Sequence, residues 1–418
     1  MSGTATLQDA SWLASGPAGR VLALLDCDGE EARVVGGAVR NALLGLPPGD
    51  IDVATTATPD VVQRRARAAG IKNVPTGIDH GTVTLVVDGR PVEVTTLRED
   101  VETFGRKATV AFGRDWERDA QRRDFTINGL SADRAGVVHD HVGGLADLAQ
   151  RRVRFIGNPD RRIAEDYLRI LRFFRFHAAY GAGEIDRAGY LACIRGRDGL
   201  ATLSAERIGM EMRKLLTADG AHHAAVAMSD AGLLLAVLGG VAYPGALAAM
   251  MANERARGLQ PDAMLRLGAL AVAVTEDARR LGARLRLANR EVKMLDSMGH
   301  RWWRLAGMDE ATAQRRLYRL GEARFRDRVM LAWARAGQHA DAAYWSNLLT
   351  LPDRWPVPSF PLKADDFLVR GFAAGPALGH VLSLAEDAWL AAGFPQERSA
   401  LDAIADQTAA RFARDHKL

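Results

Sequence analysis

The sequence predicts an α+β chain: a small mixed sheet carrying helices comes first, and an all-helical remainder follows. Three observations predict it. Short apolar runs bounded by glycine and proline alternate with helix-period segments up to about Asp147. An Asp88-Gly89 pair between two such runs is a hairpin signal. From about Arg151 the strand signals stop, and apolar residues recur at helical spacing. The 418 residues exceed what one compact domain usually holds, so two or three domains are expected.

Each element follows in turn. "ARVVGG" from Ala32 reads as a strand ending in two glycines. "AVRNALLGL" reads as a helix with Val39, Leu43 and Leu46 on one face. "DIDVA" from Asp50 is the next strand. "GTVTLVVDGRPVEVTTL" is two strands joined at Asp88-Gly89. "IAEDYLRILRFFRFHAAYG" reads as one amphipathic helix. Ile163, Tyr167, Ile170, Leu171 and Phe174 share its apolar face, Glu165, Arg169, Arg172 and Arg175 the polar one, with Asp166 at the border. Gly181 and Gly183 end it, and "SAERIGMEMRKLL" follows as a helix with Ser204 at the N-cap. The remainder is helical, broken near "GVAYPG" and "LPDRWPVPSFPL".

Composition narrows the function classes. With 48% hydrophobic and 25% charged residues, the chain is an ordinary globular protein. No run of about 18 uncharged apolar residues occurs, so no membrane partner is expected. The first residues lack the basic start and apolar core of a signal peptide. Cys27 and Cys193 are the only cysteines and have no metal-binding spacing, so a reducing cytoplasm is the default compartment. The net charge of +4 suits a polyanionic partner, though an Arg-rich genome composition explains it as well. Between Arg151 and Gly220, 14 Lys and Arg stand against 9 Asp and Glu.

The chemistry starts from Asp50 and Asp52, whose i, i+2 spacing in a strand puts both carboxylates on one face. Like charges so placed need a cation between them. Gly36 and Gly37 precede them at a strand-to-helix turn, where backbone N–H groups can cradle phosphates. A phosphate cradle followed by two same-face carboxylates is what metal-dependent nucleotidyl transfer needs, with two Mg²⁺ ions held by Asp50 and Asp52. Glu93, in "VEVTT", is the candidate third carboxylate, with a plain exposed strand glutamate as the alternative.

"VVGGAVRNALLG" followed by "DIDVATTATPD" resembles the first motif of the class II tRNA nucleotidyltransferases. That family includes CCA-adding enzymes and bacterial poly(A) polymerases. The resemblance continues in the family's order. "RRDFTINGL" at Arg122 matches the second motif, and "HDHVGGLADL" at His139 the hinge motif. "AEDYLRILRFFRF" matches the nucleotide-reading motif, and "SAERIGMEMRKLL" the last neck motif. "GPALGHVLSLAEDAWLAAGF" is more loosely similar to the family's C-terminal helix. Asn41 departs from the pattern, since the family usually has Asp after the arginine of "GGAVR".

The resemblance implies a polymerase β-like nucleotidyltransferase head over residues 1–147, a helical neck over 148–220, and a helical body and tail over 221–418. It gives nucleotide contacts to Gly36, Gly37, Arg40, Arg122, Arg123, Asp124, Asn128, Asp166, Arg169 and Arg172. Arg123 suits the triphosphate, and Asp124 a ribose 2′-hydroxyl. Asn128 either closes the pocket or stabilises a turn. Asp166 and Arg169 would read C and A in place of a nucleic-acid template, since a carboxylate accepts from the exocyclic amine and a guanidinium donates to ring acceptors. "LREDVETFGRKATVAF", with Gly105 in its middle, looks like the flexible loop that helps the site change from C to A addition. The basic "RRLGARLRLANREVKML" suits tRNA phosphates or is a solvated helix face. Trp302 and Trp303 either stack on bases or are buried.

The implied activity is addition of C, C and A to the tRNA 3′ end from CTP and ATP, by a cytoplasmic monomer with no DNA partner. A poly(A) polymerase of the same family shares these motifs, but the chain lacks a strongly basic C-terminal extension. An inactive RNA-binding homologue is the reading from another class. Intact Asp50, Asp52, Asp124, Asp166 and Arg169 argue against it, and Asn41 faintly for it.

Overall fold

The computed structural model describes all residues except 1–4, 8–9, 79–80, 105–106, 338–339 and 417–418, and no side chains for 99–111 and 416. Nine strands occur among the described residues. They are β1 (Ala32–Val35), β2 (Asp52–Thr55), β3 (Lys72–Gly77), β4 (Thr82–Val87), β5 (Arg90–Thr96), β6 (Arg98–Phe104), β7 (Lys107–Phe112), β8 (Leu130–Ala132) and β9 (Val138–Asp140). Seven form one sheet in the order β3-β4-β5-β2-β1-β8-β9, and β6 pairs with β7 as a separate hairpin. All pairs are antiparallel except β2 with β5, which is what makes the sheet mixed. The expected hairpin is present: Asp88 and Gly89 both have positive φ, as a two-residue turn matched to strand twist requires.

Among the described residues, the helices that accompany this sheet or follow it up to Thr217 are α1 (Ser11–Ala14), α2 (Gly16–Leu25), α3 (Gly37–Leu43), α4 (Pro59–Ala68), α5 (Trp116–Gln121), α6 (Gly144–Ala149), α7 (Pro159–Glu165), α8 (Leu168–Tyr180), α9 (Arg187–Arg195) and α10 (Ala205–Thr217). Val83, Leu85, Val92 and Val94 alternate inward along β4 and β5, and α2 and α4 cover that face with Val21, Leu22, Leu25, Val62 and Ala66. The opposite face stays open and carries Asp52 and Glu93, directly paired across β2 and β5. Buried Asp147 of α6 accepts from Thr126 Oγ1 at 2.6 Å and from Arg152 and Arg154. Asp140 caps α6 by accepting from the Gly144 and Leu145 N–H groups, both at 2.9 Å, so the His-Asp pair of the hinge motif is a turn device. Phe125, Phe155, Phe173 and Phe176 form one aromatic cluster that fastens α8 to the segment bearing Arg122–Asn128.

Several elements depart from expectation. The helix after Gly36 ends at Leu43, because Pro47 and Pro48 follow closely, and Leu46 is 47% exposed rather than on a buried face. The strand begins at Asp52, with Asp50 in the bend before it. The long helix is two helices, α7 and α8, separated at Asp166, whose φ of −157° and ψ of 107° are extended. Asp166 Oδ1 accepts from the Leu168 N–H at 3.1 Å, and its carbonyl from the Arg169 N–H at 3.0 Å, so Asp166 starts α8. The Tyr167 ring lies where a Cβ on Gly199 would be, 2.0 Å from the nearest ring carbon, so only glycine admits this break.

Contacts divide the chain into two compact units, Met1–Pro244 with Ala283–Arg286, and Gly245–Gly282 with Leu287–Leu418. The second unit is helical. Its core includes Phe367, Val381, Ala385 and Trp389, the last three on the expected helix Pro376–Ala391. The basic pattern after Arg279 falls on two helices, Thr275–Leu285 and Asn289–Gly299, because Arg286 takes a positive φ between them. Trp302 donates to the Ala273 carbonyl at 2.9 Å, whereas Trp303 is 51% exposed. Among the described residues, no helix is long and apolar enough to cross a membrane.

Candidate active site

In the first unit, a cavity of about 620 Å³ is lined by every metal- and nucleotide-site candidate named above except Glu93. Glu93 stands beside it, opposite Asp52 in the β2–β5 register. Burial, then Glu93 and Asp50, push the Asp52 carboxyl above its ordinary pKa, and Arg123 pulls it down. Gly36, at φ 68° and ψ −122°, turns the chain from β1 into α3. A Cβ there would lie 3.2 Å from Arg123 Nη1, so the glycine backbone and the guanidinium meet at close range.

Arg122 and Arg123 are held by a residue that the motif reading passed over. Asp119, 2% exposed in α5, accepts from Arg122 Nε at 2.7 Å through one oxygen and from Arg123 Nη2 at 3.2 Å through the other. The i, i+3 and i, i+4 spacing in "DAQRR" was the signal for it.

Asp124 is buried and saturated. Its Oδ2 accepts from Arg172, at 2.7 Å from Nε, and its Oδ1 from Asn128 Nδ2 at 3.0 Å and the Phe125 N–H at 2.9 Å. Burial opposes its ionisation, but Arg172, Asn128 and the Phe125 N–H outweigh that, and its pKa falls below the ordinary value. A ribose hydroxyl would therefore have to displace Arg172 to reach it. Arg40 is equally committed. It donates to Asn128 Oδ1 at 2.5 Å, to Asn41 Oδ1 at 2.9 Å and to Tyr180 Oη at 2.7 Å, while its guanidinium stacks 3.8 Å from the Tyr180 ring centroid. Burial lowers its pKa.

Asp166 and Arg169 both face the cavity, but each is gripped by a different partner. Asp166 Oδ2 accepts from Arg207 Nη2 at 2.7 Å. Arg169 Nη1 donates to Glu165 Oε2 at 2.5 Å and to the Arg162 carbonyl at 2.7 Å. The expected i, i+3 neighbours are thus members of two separate pairs, because the helix breaks between them. Glu211 of α10 is ion-paired with Arg175 at 2.6 Å and lies 3.7 Å from Arg172. Arg207 and Glu211 stand one turn apart in the last neck motif, the signal that could have found them.

A larger cavity of about 890 Å³ shares Arg122 with this one. Arg98, Arg118, Arg154, Arg161 and Arg162 also line it, against Glu165 and Asp186, and it holds no carboxylate pair of the Asp50–Asp52 kind. Among the described residues, no cluster of three or more His, Cys, Asp or Glu is arranged to hold a metal by itself. The β6–β7 hairpin occupies the expected flexible-loop segment, and Gly105 lies outside the described residues.

A family model for the poly A polymerase head domain matches residues 32–154. The Mus musculus protein named CCA tRNA nucleotidyltransferase 1, mitochondrial, is 34% identical over 382 residues, covering 90% of this chain and 86% of its own length. The CCA-adding enzyme of Geobacillus thermodenitrificans is 41% identical over 216 residues, which are 51% of this chain and 52% of that protein. The crystal structure of the Bacillus stearothermophilus CCA-adding enzyme in complex with CTP matches with a TM-score of 0.71 at 25% identity, over 94% of this chain and 98% of that one.

Proposed function

From the premise that the chain belongs to the CCA tRNA nucleotidyltransferase family, we propose that its 620 Å³ cavity takes CTP and then ATP and joins C, C and A to the 3′ end of tRNA. The observation that carries this is the convergence of Asp50, Asp52, Gly36, Arg123, Asp166 and Arg169 on one cavity. The matched poly A polymerase model covers only the head, whose chemistry both activities share. The mouse relative, matched over 90% of the chain, is named a CCA tRNA nucleotidyltransferase, which favours that product.

The acidic residues fit a divalent cation. Burial first, and then repulsion from Glu93 and Asp50, raise the pKa of Asp52, and a bound cation relieves that repulsion. Two carboxylates leave most positions of an octahedral Mg²⁺ for water and substrate phosphates. Asp50 and Asp52 would hold two such ions, with Glu93 as the neighbouring carboxylate. Bound Mg²⁺ would lower the pKa of the RNA 3′-hydroxyl and neutralise the leaving pyrophosphate. The chain's own groups do the rest. The Gly36–Gly37 turn and the two arginines set by Asp119 seat the triphosphate. Asp166 and Arg169 present an acceptor and a donor to the base edge, each aimed by its partner, Arg207 or Glu165. Asp124 orients Arg172 and Asn128 toward the sugar side. The arginine-lined second cavity, next to the site at Arg122, offers a path for RNA phosphates.

We read the chain as a monomer working in a reducing compartment, where Cys27 and Cys193 stay free. The cytoplasm is our reading, and the mitochondrial naming of the mouse relative makes the mitochondrion the alternative. The test is incubation of a tRNA ending at its discriminator base with Mg²⁺ and CTP, ATP or both. Products should stop at two C with CTP alone and at CCA with both. Long A tails, or no extension, would overturn the proposal.

A further inference from the structure

The segment that carries Asp50 is neither helix nor strand. Residues 47–49 run without regular structure between the end of α3 and the bend at Asp50. Asn41 grips the start of this segment twice. Its main-chain carbonyl accepts from the Leu46 N–H at 2.9 Å, and its side-chain Nδ2 donates to the Pro47 carbonyl at 3.2 Å. Among the described residues, the Nδ2 bond is the one that ties the main chain of Pro47–Asp50 to another part of the protein.

The other end of the same amide faces Arg40. Asn41 Oδ1 accepts from Arg40 Nε at 3.2 Å and Nη2 at 2.9 Å. This settles which way the amide points. A guanidinium offers only donors, so it needs the oxygen, and the Pro47 carbonyl only accepts, so it needs the nitrogen. Arg40 is itself fixed by Asn128 and Tyr180 and is 5% exposed. A carbonyl at the edge of the catalytic loop is thereby connected, through Asn41, Arg40 and Asn128, to Asp124 on the nucleotide side of the cavity.

We infer that Asn41 is a positioning residue, whose carboxamide holds the Pro47–Asp50 loop against Arg40 and so sets the place of the Asp50 carboxylate. In this chain both ends of the amide are used, where the family's usual aspartate would offer only acceptors. An aspartate at this position would keep the two bonds from Arg40 and strengthen them by charge. It would have no proton for Pro47 and would set a carboxylate oxygen against a carbonyl oxygen. The loop would then lose its tether while the arginine kept its own. This inference rests on the reading of Asp50 as a metal ligand.

The test compares the full-length protein with Asn41→Asp, Asn41→Ala and Asp50→Ala. Mn²⁺ binding is measured without RNA by electron paramagnetic resonance, alongside thermal melting and steady-state CTP incorporation. Asn41→Asp should melt within about 2 °C of the parent, bind Mn²⁺ about tenfold more weakly, and lose about tenfold in kcat with little change in the KM for CTP, as loss of one hydrogen bond implies. The direction is diagnostic, because an added negative charge alone would tighten Mn²⁺ binding. Asn41→Ala should show the same losses and melt lower, since Arg40 is released too. Parent-like Mn²⁺ affinity and kcat in Asn41→Asp would overturn the inference. So would a large melting loss in Asn41→Asp with CTP binding and Mn²⁺ binding falling together, which would mark a fold-holding role. If Asp50→Ala binds Mn²⁺ as the parent does, the metal reading itself falls and takes the inference with it.

Discussion

Arg169→Ala separates reading a base from holding the neck together. The structure sets the stability cost. Arg169 is 17% exposed in its side chain and Glu165 is 31% exposed, so their ion pair contributes about 1 kcal/mol or less. Its bond to the Arg162 carbonyl adds about 1 kcal/mol. Together these predict a melting temperature lower by roughly 5 °C for a unit of this size. The expected effect on selectivity is larger. One well-placed base contact is worth about 1–3 kcal/mol, or roughly tenfold to a hundredfold in relative rate. The assay is single-turnover incorporation of all four NTPs into a tRNA trimmed to its discriminator base, with a melt as control. Preference for C and A over U and G should shrink by at least tenfold. A melting loss beyond about 10 °C with the nucleotide ranking unchanged would refute the reasoning, and the base would have to be read elsewhere. The partner geometry adds a constraint. Exchanging Asp166 and Arg169 alone would set an arginine against Arg207 and an aspartate against Glu165. Reversed selectivity should therefore require Arg207→Glu and Glu165→Arg in the same chain.

Four further outcomes are expected. Asp50→Ala and Asp52→Ala should each abolish both C and A addition while tRNA binding by filter retention persists; more than a few per cent residual rate would count against the metal assignment. Asp52→Asn should melt above the parent at pH 7 without metal, because a carboxyl whose folded pKa is raised contributes stability below its unfolded pKa and loses it as pH rises through the folded value. The gap should close on acidification below the ordinary carboxylate range, and a constant gap would exclude this cause. Replacing Glu99–Thr109 of the β6–β7 hairpin with a short Gly/Ser linker should spare both C additions and stop A addition, read on a sequencing gel, whereas undiminished CCA completion would make the hairpin a surface connection. Asp119→Asn leaves one acceptor oxygen for two arginines, and should raise the KM for CTP about tenfold; an unchanged KM would show that Asp119 does not set them.

Much of this site was legible because its parts are local in sequence. The glycine turn, the Asp50–Asp52 pair and Arg122–Asn128 are each short segments whose chemistry shows in their spacing, and all of them line one cavity. The hairpin at Asp88-Gly89 was legible for the same reason. What stayed hidden depends on contacts distant in sequence, or on a backbone break that periodicity cannot see. The face pattern from Ile163 to Phe174 is continuous across Asp166, so nothing in it marks the point where the chain extends and Tyr167 settles over Gly199. The saturation of Asp124 needs Arg172, which lies on α8, and the commitment of Arg40 needs Tyr180. Such partners are paired only by the fold.

The parallel pairing of β2 with β5 has a consequence for how the protein is made. Every other neighbouring pair in the sheet is antiparallel. Asp52 and Glu93 become neighbours only after the chain has run through α4, β3 and β4 and returned in the same direction. The β4–β5 hairpin can close quickly and locally, whereas the β2–β5 ladder must wait for a long loop to be closed against its entropy. The acidic centre is therefore among the last parts of the head to assemble. A nascent chain released before β5 would hold Asp50 and Asp52 without their neighbour. During refolding, recovery of Mn²⁺ binding should lag behind recovery of sheet signal, and the lag would time the closure of that ladder.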